Sequence, residues 1–197
     1  MSNLNKAFLI ESSGNIMTPR CRMVYGDLFK ASQVKGQGKH KFRISLLIPA
    51  KSDVELLRET VMELATEKLG KNLKTTKWRN PLLKTGDEPR FADIADDFPL
   101  MLRPNSDNRP QVTNPAATKI ITEDEAPDEI YNGRWCRASI SVYWYGADKS
   151  PIPGVGLGLS NVQLLDHDDP IDVGNGRVAA SSEFAAVEEG AMAGMED

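Results

Sequence analysis

The residues best suited to chemistry lie in one stretch, Trp135-Cys136-Arg137-Ala138-Ser139-Ile140-Ser141-Val142-Tyr143-Trp144-Tyr145. Read as a strand, it alternates its side chains between two faces. Cys136, Ala138, Ile140, Val142 and Trp144 fall on one face and are core material. Trp135, Arg137, Ser139, Ser141, Tyr143 and Tyr145 fall on the other. Flat rings beside a guanidinium, with small hydroxyl residues between them, make a surface on which unpaired nucleobases stack. The same pattern also suits a second core face covered by other elements, and the strand alone leaves both readings open.

Cations recur in the outward phase of other extended segments. Arg20 to Tyr25 reads as a strand with Cys21, Met23 and Tyr25 on one face and Arg20, Arg22 and Val24 on the other. Lys41 to Ile48 reads as a second, with Phe42, Ile44, Leu46 and Ile48 inward and Lys41, Arg43 and Ser45 outward. Lys35 to His40 reads as a flexible basic turn carrying Lys39, and Lys77, Trp78 and Arg79 place one more ring among cations. Such a track neutralises phosphates and makes affinity salt-dependent. Stacking needs unpaired bases, and no helix combines a basic face with duplex-reading residues, so single strands fit better than duplex. Taken singly, each of these cations is more often a solvated strand face, and only their coincidence with the aromatic face favours binding.

Motifs that suggest catalysis fail on inspection. Gly154-Val-Gly156-Leu-Gly158 lacks the third glycine and the following helix of a dinucleotide loop, and no Gly-Lys-Ser/Thr follows it. It reads as the close-packed or bulged start of a strand. Gly158-Leu-Ser160-Asn-Val162 misses the last glycine of a nucleophile elbow. Asp166-His167-Asp168-Asp169 has no complementary ligand cluster elsewhere and reads as a polar turn. With His40 and His167 as the only histidines and no triad, a non-catalytic protein without metal or cofactor is expected.

These residues need a scaffold, and the remaining pattern supplies one. Ser52 and Glu55 fit a capping box ahead of a helix whose Val54, Leu57, Val61, Leu64 and Ala65 share a face, with Gly70 as its stop. Residues 71–110 are loop-rich, which in a compact domain often marks function. Gln111 to Thr113 reads as a short strand, Asn132-Gly133 as a hairpin turn, and Val155 to Leu165 as the last strand. The fold class expected is mainly β, a β-rich α+β chain forming a small OB-fold-like barrel with one clear helix and long loops.

The chain has 197 residues and a net charge of −4, but the charge is unevenly placed. All 24 Lys and Arg lie in residues 1–177, against 23 acids, while 178–197 hold Glu183, Glu188, Glu189, Glu196, Asp197 and no base. Two parts are expected: a binding domain over 1–177 and a disordered acidic tail over 178–197, poor in large apolar residues. No apolar run approaches a membrane span and the N-terminus lacks the pattern of a secretory signal. Cys21 and Cys136 fall in apolar strand phases, so buried reduced thiols and a cytoplasmic setting are expected.

The sequence resembles the bacteriophage single-stranded DNA-binding proteins with an OB-fold, from about residue 17 to about 177. The resemblance rests on Lys41-Phe-Arg-Ile-Ser-Leu-Leu-Ile-Pro49, Leu83-Lys-Thr-Gly-Asp87 and Arg109-Pro-Gln-Val112. It is strongest at Tyr131-Asn-Gly-Arg-Trp-Cys-Arg-Ala138 and Gly154-Val-Gly156-Leu-Gly158-Leu-Ser-Asn-Val-Gln163. It implies a barrel that coats single-stranded DNA with little sequence preference during phage replication or recombination. Related proteins commonly carry an acidic tail, and Glu188, Glu189, Glu196 and Asp197 would then serve partner recruitment or compete with DNA. Some single-strand binders end that tail in an aromatic residue, whereas this chain ends Met195-Glu196-Asp197. Two alternatives stay open: an annealing or recombination accessory protein, and a phage structural or assembly protein using the aromatic face for protein contacts.

Overall fold

The computed structural model describes residues 4–34, 37–146 and 148–173. The acidic segment from Val178 to Asp197 lies outside them. The elements run β1 (Phe8–Ile10), β2 (Asn15–Met17), β3 (Cys21–Val34), β4 (Gln37–Ile48), α1 (Glu55–Leu69), β5 (Leu83–Lys84), β6 (Leu100–Leu102), β7 (Asn105–Ser106), β8 (Gln111–Thr113), α2 (Ala126–Glu129), β9 (Trp135–Tyr145) and β10 (Gly154–Leu164).

Five of these strands close a ring. β3 pairs antiparallel with β4 and with β9, β9 with β10, and β7 bridges β10 back to β4. Closure requires an inside and an outside. The inside holds Cys21 and Met23, Ile44, Leu46 and Ile48, Cys136, Ala138 and Ile140, and Leu157, Leu159, Val162 and Leu164, all buried. β10 changes phase between Leu159 and Val162 because its register shifts between Leu159 and Asn161, leaving Ser160 as the extra residue of a bulge. α1 packs on β9 and β10 with Leu57, Val61 and Ala65 buried. Part of the outside is covered as well. Val24 and Leu47 pack with Phe91, Met101 and Val173 in a second cluster.

Cys21 and Cys136 face each other across β3 and β9 as buried free thiols, with their sulfurs 3.9 Å apart. The hydrogen bond shared with the Cys21 thiol, and then burial, push the Cys136 thiol well up, so it stays protonated.

Four local expectations are corrected. The basic turn is shorter than Lys35–His40, because β4 begins at Gln37 and takes in Lys39 and His40. The capping box does not form: no side chain caps α1 at Val54, and the Glu55 amide instead donates to Asp53 Oδ1 at 3.1 Å. Asn132-Gly133 is a turn, closed by the Arg134 amide on Tyr131 O at 3.1 Å, but it joins no hairpin, since α2 and not a strand precedes it. Its backbone stitches onto β3, with the Gly133 amide donating to Met23 O and the Tyr25 amide to Asn132 Oδ1. Gly133 has φ 103°, and a Cβ there would sit 2.7 Å from the Ile171 amide nitrogen, so this crossing requires glycine. Tyr25 does not follow Cys21 and Met23 inward, because its φ of 52° breaks the alternation and turns its ring onto the second cluster.

Candidate nucleic-acid interface

The outward face of β9 differs from one end to the other. At its C-terminal end Tyr143 pairs with Gly156 and Tyr145 with Gly154 on β10. A Cβ on Gly156 would lie 2.5 Å from Tyr143 Cζ and 2.7 Å from its hydroxyl oxygen. A Cβ on Gly154 would lie 2.8 Å from the Tyr145 hydroxyl and 2.6 Å from Arg79 O. The alternate glycines are therefore a floor across which the tyrosine rings extend over β10. That is the physical reason for the Gly-x-Gly-x-Gly pattern, which is neither a phosphate loop nor a mere tight strand start. Tyr143 remains 42% exposed, among the most accessible large rings of the described residues.

Over the glycine floor Tyr143 reaches a cleft of about 640 Å³ on the outer wall of the barrel. Lys39, Lys41, Arg43 and Ser45 line it from β4, Asn105 from β7, and Tyr25, Arg90 and Arg103 from the opposite end. Lys41 Nζ donates to Asn105 Oδ1 at 3.2 Å and pairs with Asp107 at 3.5 Å. Arg43 donates to Ser32 O and lies 3.9 Å from Asp27. Arg90 and Arg103 share Glu88. Lys39 has no ion-pair partner among the described residues. Three carboxylates thus attend four of five cations, which leaves the cleft net positive.

Burial, and then the charge of Asp107, push the Tyr143 phenol up. Burial also raises Tyr145, against the opposing pull of Arg79. Both rings are therefore neutral at ordinary pH: they can donate a hydrogen bond and do not repel a phosphate. Arg79, expected at the interface, is exposed and backbone-paired to the start of β10 next to Tyr145. Lys77 beside it is exposed. Trp78 is half-buried, with part of its ring packed on the core cluster.

At the other end of β9 the residues are tied to the protein itself. Trp135 stands eight residues from Tyr143, roughly 26 Å along a strand. The Arg20 guanidinium lies 4.0 Å above its ring, Arg22 lies 5.1 Å away, and Phe98 meets it at a tilt. Its indole N–H donates to Asp168 Oδ2 at 2.7 Å. Arg22 is buried, donating to Gly133 O, Asp168 Oδ2 and Asp169 O. Between the two ends, Arg137 Nε donates to Gln163 Oε1 at 2.7 Å, Ser139 is buried under Asn15, and burial lowers the Arg137 pKa. The structure therefore gathers Lys39, Lys41, Arg43 and Tyr143, with Tyr145 and Arg79 beside them, and sets Arg20, Arg22, Trp135 and Arg137 apart.

Tyr25, Arg90, Arg103 and Asn105 were missed by sequence reasoning. All but Tyr25 come from the loop-rich segment 71–110, whose length was the available signal. Within Asp166–Asp169, Asp168 and Asp169 meet Arg22, Asp168 also meets Trp135, and His167 stacks on Tyr131. Among the described residues, no group of three or more His, Cys, Asp or Glu could hold a metal, and no helix is long and apolar enough to cross a membrane.

Every carboxylate with a resolved shift is held below its ordinary value. For Asp168 the Trp135 N–H is the largest lowering cause. For Asp53 it is the Glu55 amide. For Glu125, at about 2, it is Lys119. Burial works against Glu88, but hydrogen bonds from Arg90 and Arg103 outweigh it. A carboxylate depressed on folding contributes stability that is fully present above its unfolded-state pKa and lost as pH falls through its folded one. Melting temperature should therefore be flat between about pH 7 and 5 and fall below about pH 4.5. A melting temperature that rises on acidification below that point would contradict these pairings.

A closed barrel with an aromatic and basic cleft on its outer wall defines an OB-fold-like nucleic-acid-binding class. Within that class the chain belongs to the family described as Enterobacter phage Enc34, ssDNA-binding protein, whose profile matches residues 14–193. The protein p50 of Acyrthosiphon pisum secondary endosymbiont phage 1 is 30% identical over 173 residues, spanning 83% of this chain and 88% of that one. Among solved structures, the single-stranded DNA-binding protein from bacteriophage Enc34 in complex with ssDNA superposes with a TM-score of 0.64. Its identity is 20%, over 86% of this chain and 96% of that one. Bacteriophage T7 gp2.5, a single-stranded DNA-binding protein, gives a TM-score of 0.59 at 15% identity, over 80% of this chain and 94% of that one. At such identities the structural likeness speaks for the fold, while the family profile carries the kinship.

Proposed function

We propose that this protein is a non-catalytic, cytoplasmic coat for single-stranded DNA during phage replication and recombination, with little sequence preference. One observation carries the reading: an exposed tyrosine ring laid over a glycine floor beside a net-positive cleft. Bases stack on Tyr143, with Tyr145 and Tyr25 extending the surface, and phosphates pass along Lys39, Lys41, Arg43, Arg90 and Arg103. Stacking is indifferent to base identity because every base has a π-face, which fits a coat better than a sequence reader.

The domain boundary follows the charge. Residues 1–177 form the binding domain, and the purely acidic 178–197 competes with DNA for the cleft and recruits replication or recombination proteins. A salt titration with labelled oligo-dT tests both parts. The full chain should bind with an affinity that falls with salt, and the chain ending at Arg177 should bind tighter with a steeper salt dependence, because DNA then displaces counterions from the cleft in place of the tail. Unchanged affinity after truncation would remove the competition, and salt-independent binding would remove the phosphate track.

A further inference from the structure

We infer that Glu88 is a positioning residue that locks Arg90 and Arg103 into a two-guanidinium subsite for one backbone phosphodiester at the Tyr25 end of the cleft. The inference rests on the cleft being the DNA path and adds how that end is built.

The geometry is that of an anion beneath two cations. Glu88 follows the short 3₁₀ turn Thr85–Asp87 and precedes a second one, Pro89–Ile94. Its Oε2 accepts from Arg90 Nε at 3.0 Å and Nη2 at 2.7 Å, and its Oε1 accepts from Arg103 Nη2. The carboxylate side chain is 24% exposed, while the arginine side chains above it are 43% and 39% exposed. A ligand approaching from solvent therefore meets guanidinium before carboxylate. Two cations held this close would repel each other without the shared anion.

The two arginines are not equivalent. Arg90 is held from several sides. Besides Glu88, its Nη1 lies 3.2 Å from the Tyr25 hydroxyl, and its guanidinium stands 5.0 Å and 5.3 Å from the centroids of Tyr25 and Phe91. Arg103 touches Glu88 through one nitrogen, and its remaining N–H groups have no partner among the described residues. Arg103 is thus the group with donors left for a phosphate, and Glu88 is what fixes its position. Two arginines around one carboxylate leave a net charge of about +1, matched to a single phosphodiester.

Simple charge counting predicts the reverse: an acid removed from a DNA cleft should tighten binding. That opposition makes a sharp test. Anisotropy with labelled oligo-dT would be measured over a salt series for E88Q, E88A, R103A, the E88A/R103A pair and Y143A. Both Glu88 variants should weaken binding by about threefold to tenfold and lower the salt slope by about one, as R103A does. The pair should bind no more weakly than R103A alone, because the acid acts through that arginine. If E88A does not fold, the near-isosteric E88Q decides the matter. Tighter or unchanged binding by a folded Glu88 variant, or losses that add in the pair, would overturn the inference. Y143A separates the two levels. Loss in Y143A without loss in E88Q rejects only the role of Glu88, whereas unchanged binding by Y143A rejects the cleft itself.

Discussion

Tyr143→Ala should lower single-stranded DNA affinity by roughly 1–3 kcal/mol, about fivefold to 150-fold, and leave the melting temperature nearly unchanged. The ring is 42% exposed and rests on glycine rather than in the core, so the fold loses little with it. The affinity loss should come from stacking and so be nearly independent of salt, in contrast to the loss expected from Lys41 or Arg43 variants. The floor supplies a companion substitution. Gly156→Val places a side chain where the ring now lies and should displace Tyr143 to another rotamer. Its binding defect should equal that of Tyr143→Ala, and the double variant should be no worse than either single one. Full affinity in a folded Gly156→Val protein would mean that the ring's position over β10 is irrelevant to binding.

Trp135→Ala should do the opposite, costing about 2–4 kcal/mol of stability with a smaller loss of affinity than Tyr143→Ala. Three groups depend on that ring. Arg20 stacks on it, Phe98 packs beside it, and Asp168 accepts its N–H. Asp168 in turn pairs with the buried Arg22 at 2.7 Å, which ties the segment after β10 to β3. Removing the ring also removes the largest lowering influence on Asp168, so the variant's deficit should be largest near neutral pH and shrink on acidification, leaving a shallower acid limb. Denaturant unfolding measures the first effect. Unchanged stability with affinity as low as that of Tyr143→Ala would return Trp135 to the stacking surface.

The contrast between these two aromatics marks how far the sequence could be read. Alternation along β9 was legible: Cys136, Ala138 and Ile140 are buried, Val142 and Trp144 pack against the same core, and Tyr143 faces outward. Periodicity assigns a face, but it does not say what covers that face. Arg22 and Val24 occupy the outward phase of β3, yet segments from 85–94 and 168–173 lie over them, and contacts across such separations leave no local trace. The glycine run was visible as close packing, but its purpose depends on which β9 residue stands opposite each glycine, a matter of register. Tyr25 was misplaced because one positive φ resets the phase. The cleft's far end was illegible for another reason: Arg90 sits in a short 3₁₀ turn and Arg103 between two short strands, segments too brief for a period to link a residue to a face. The helix was legible from its apolar stripe, whereas its cap was not, since Asp53 took the role that the Ser52–Glu55 spacing suggested.

The central claim is that an exposed tyrosine over glycine, beside a net-positive cleft, selects unpaired DNA. Fluorescence anisotropy with labelled oligo-dT, against duplex of equal length at two salt concentrations, tests it most directly. Binding to the single strand should be tighter at both, with affinity for each ligand falling as salt rises. Duplex binding equal to or tighter than single-strand binding would contradict it.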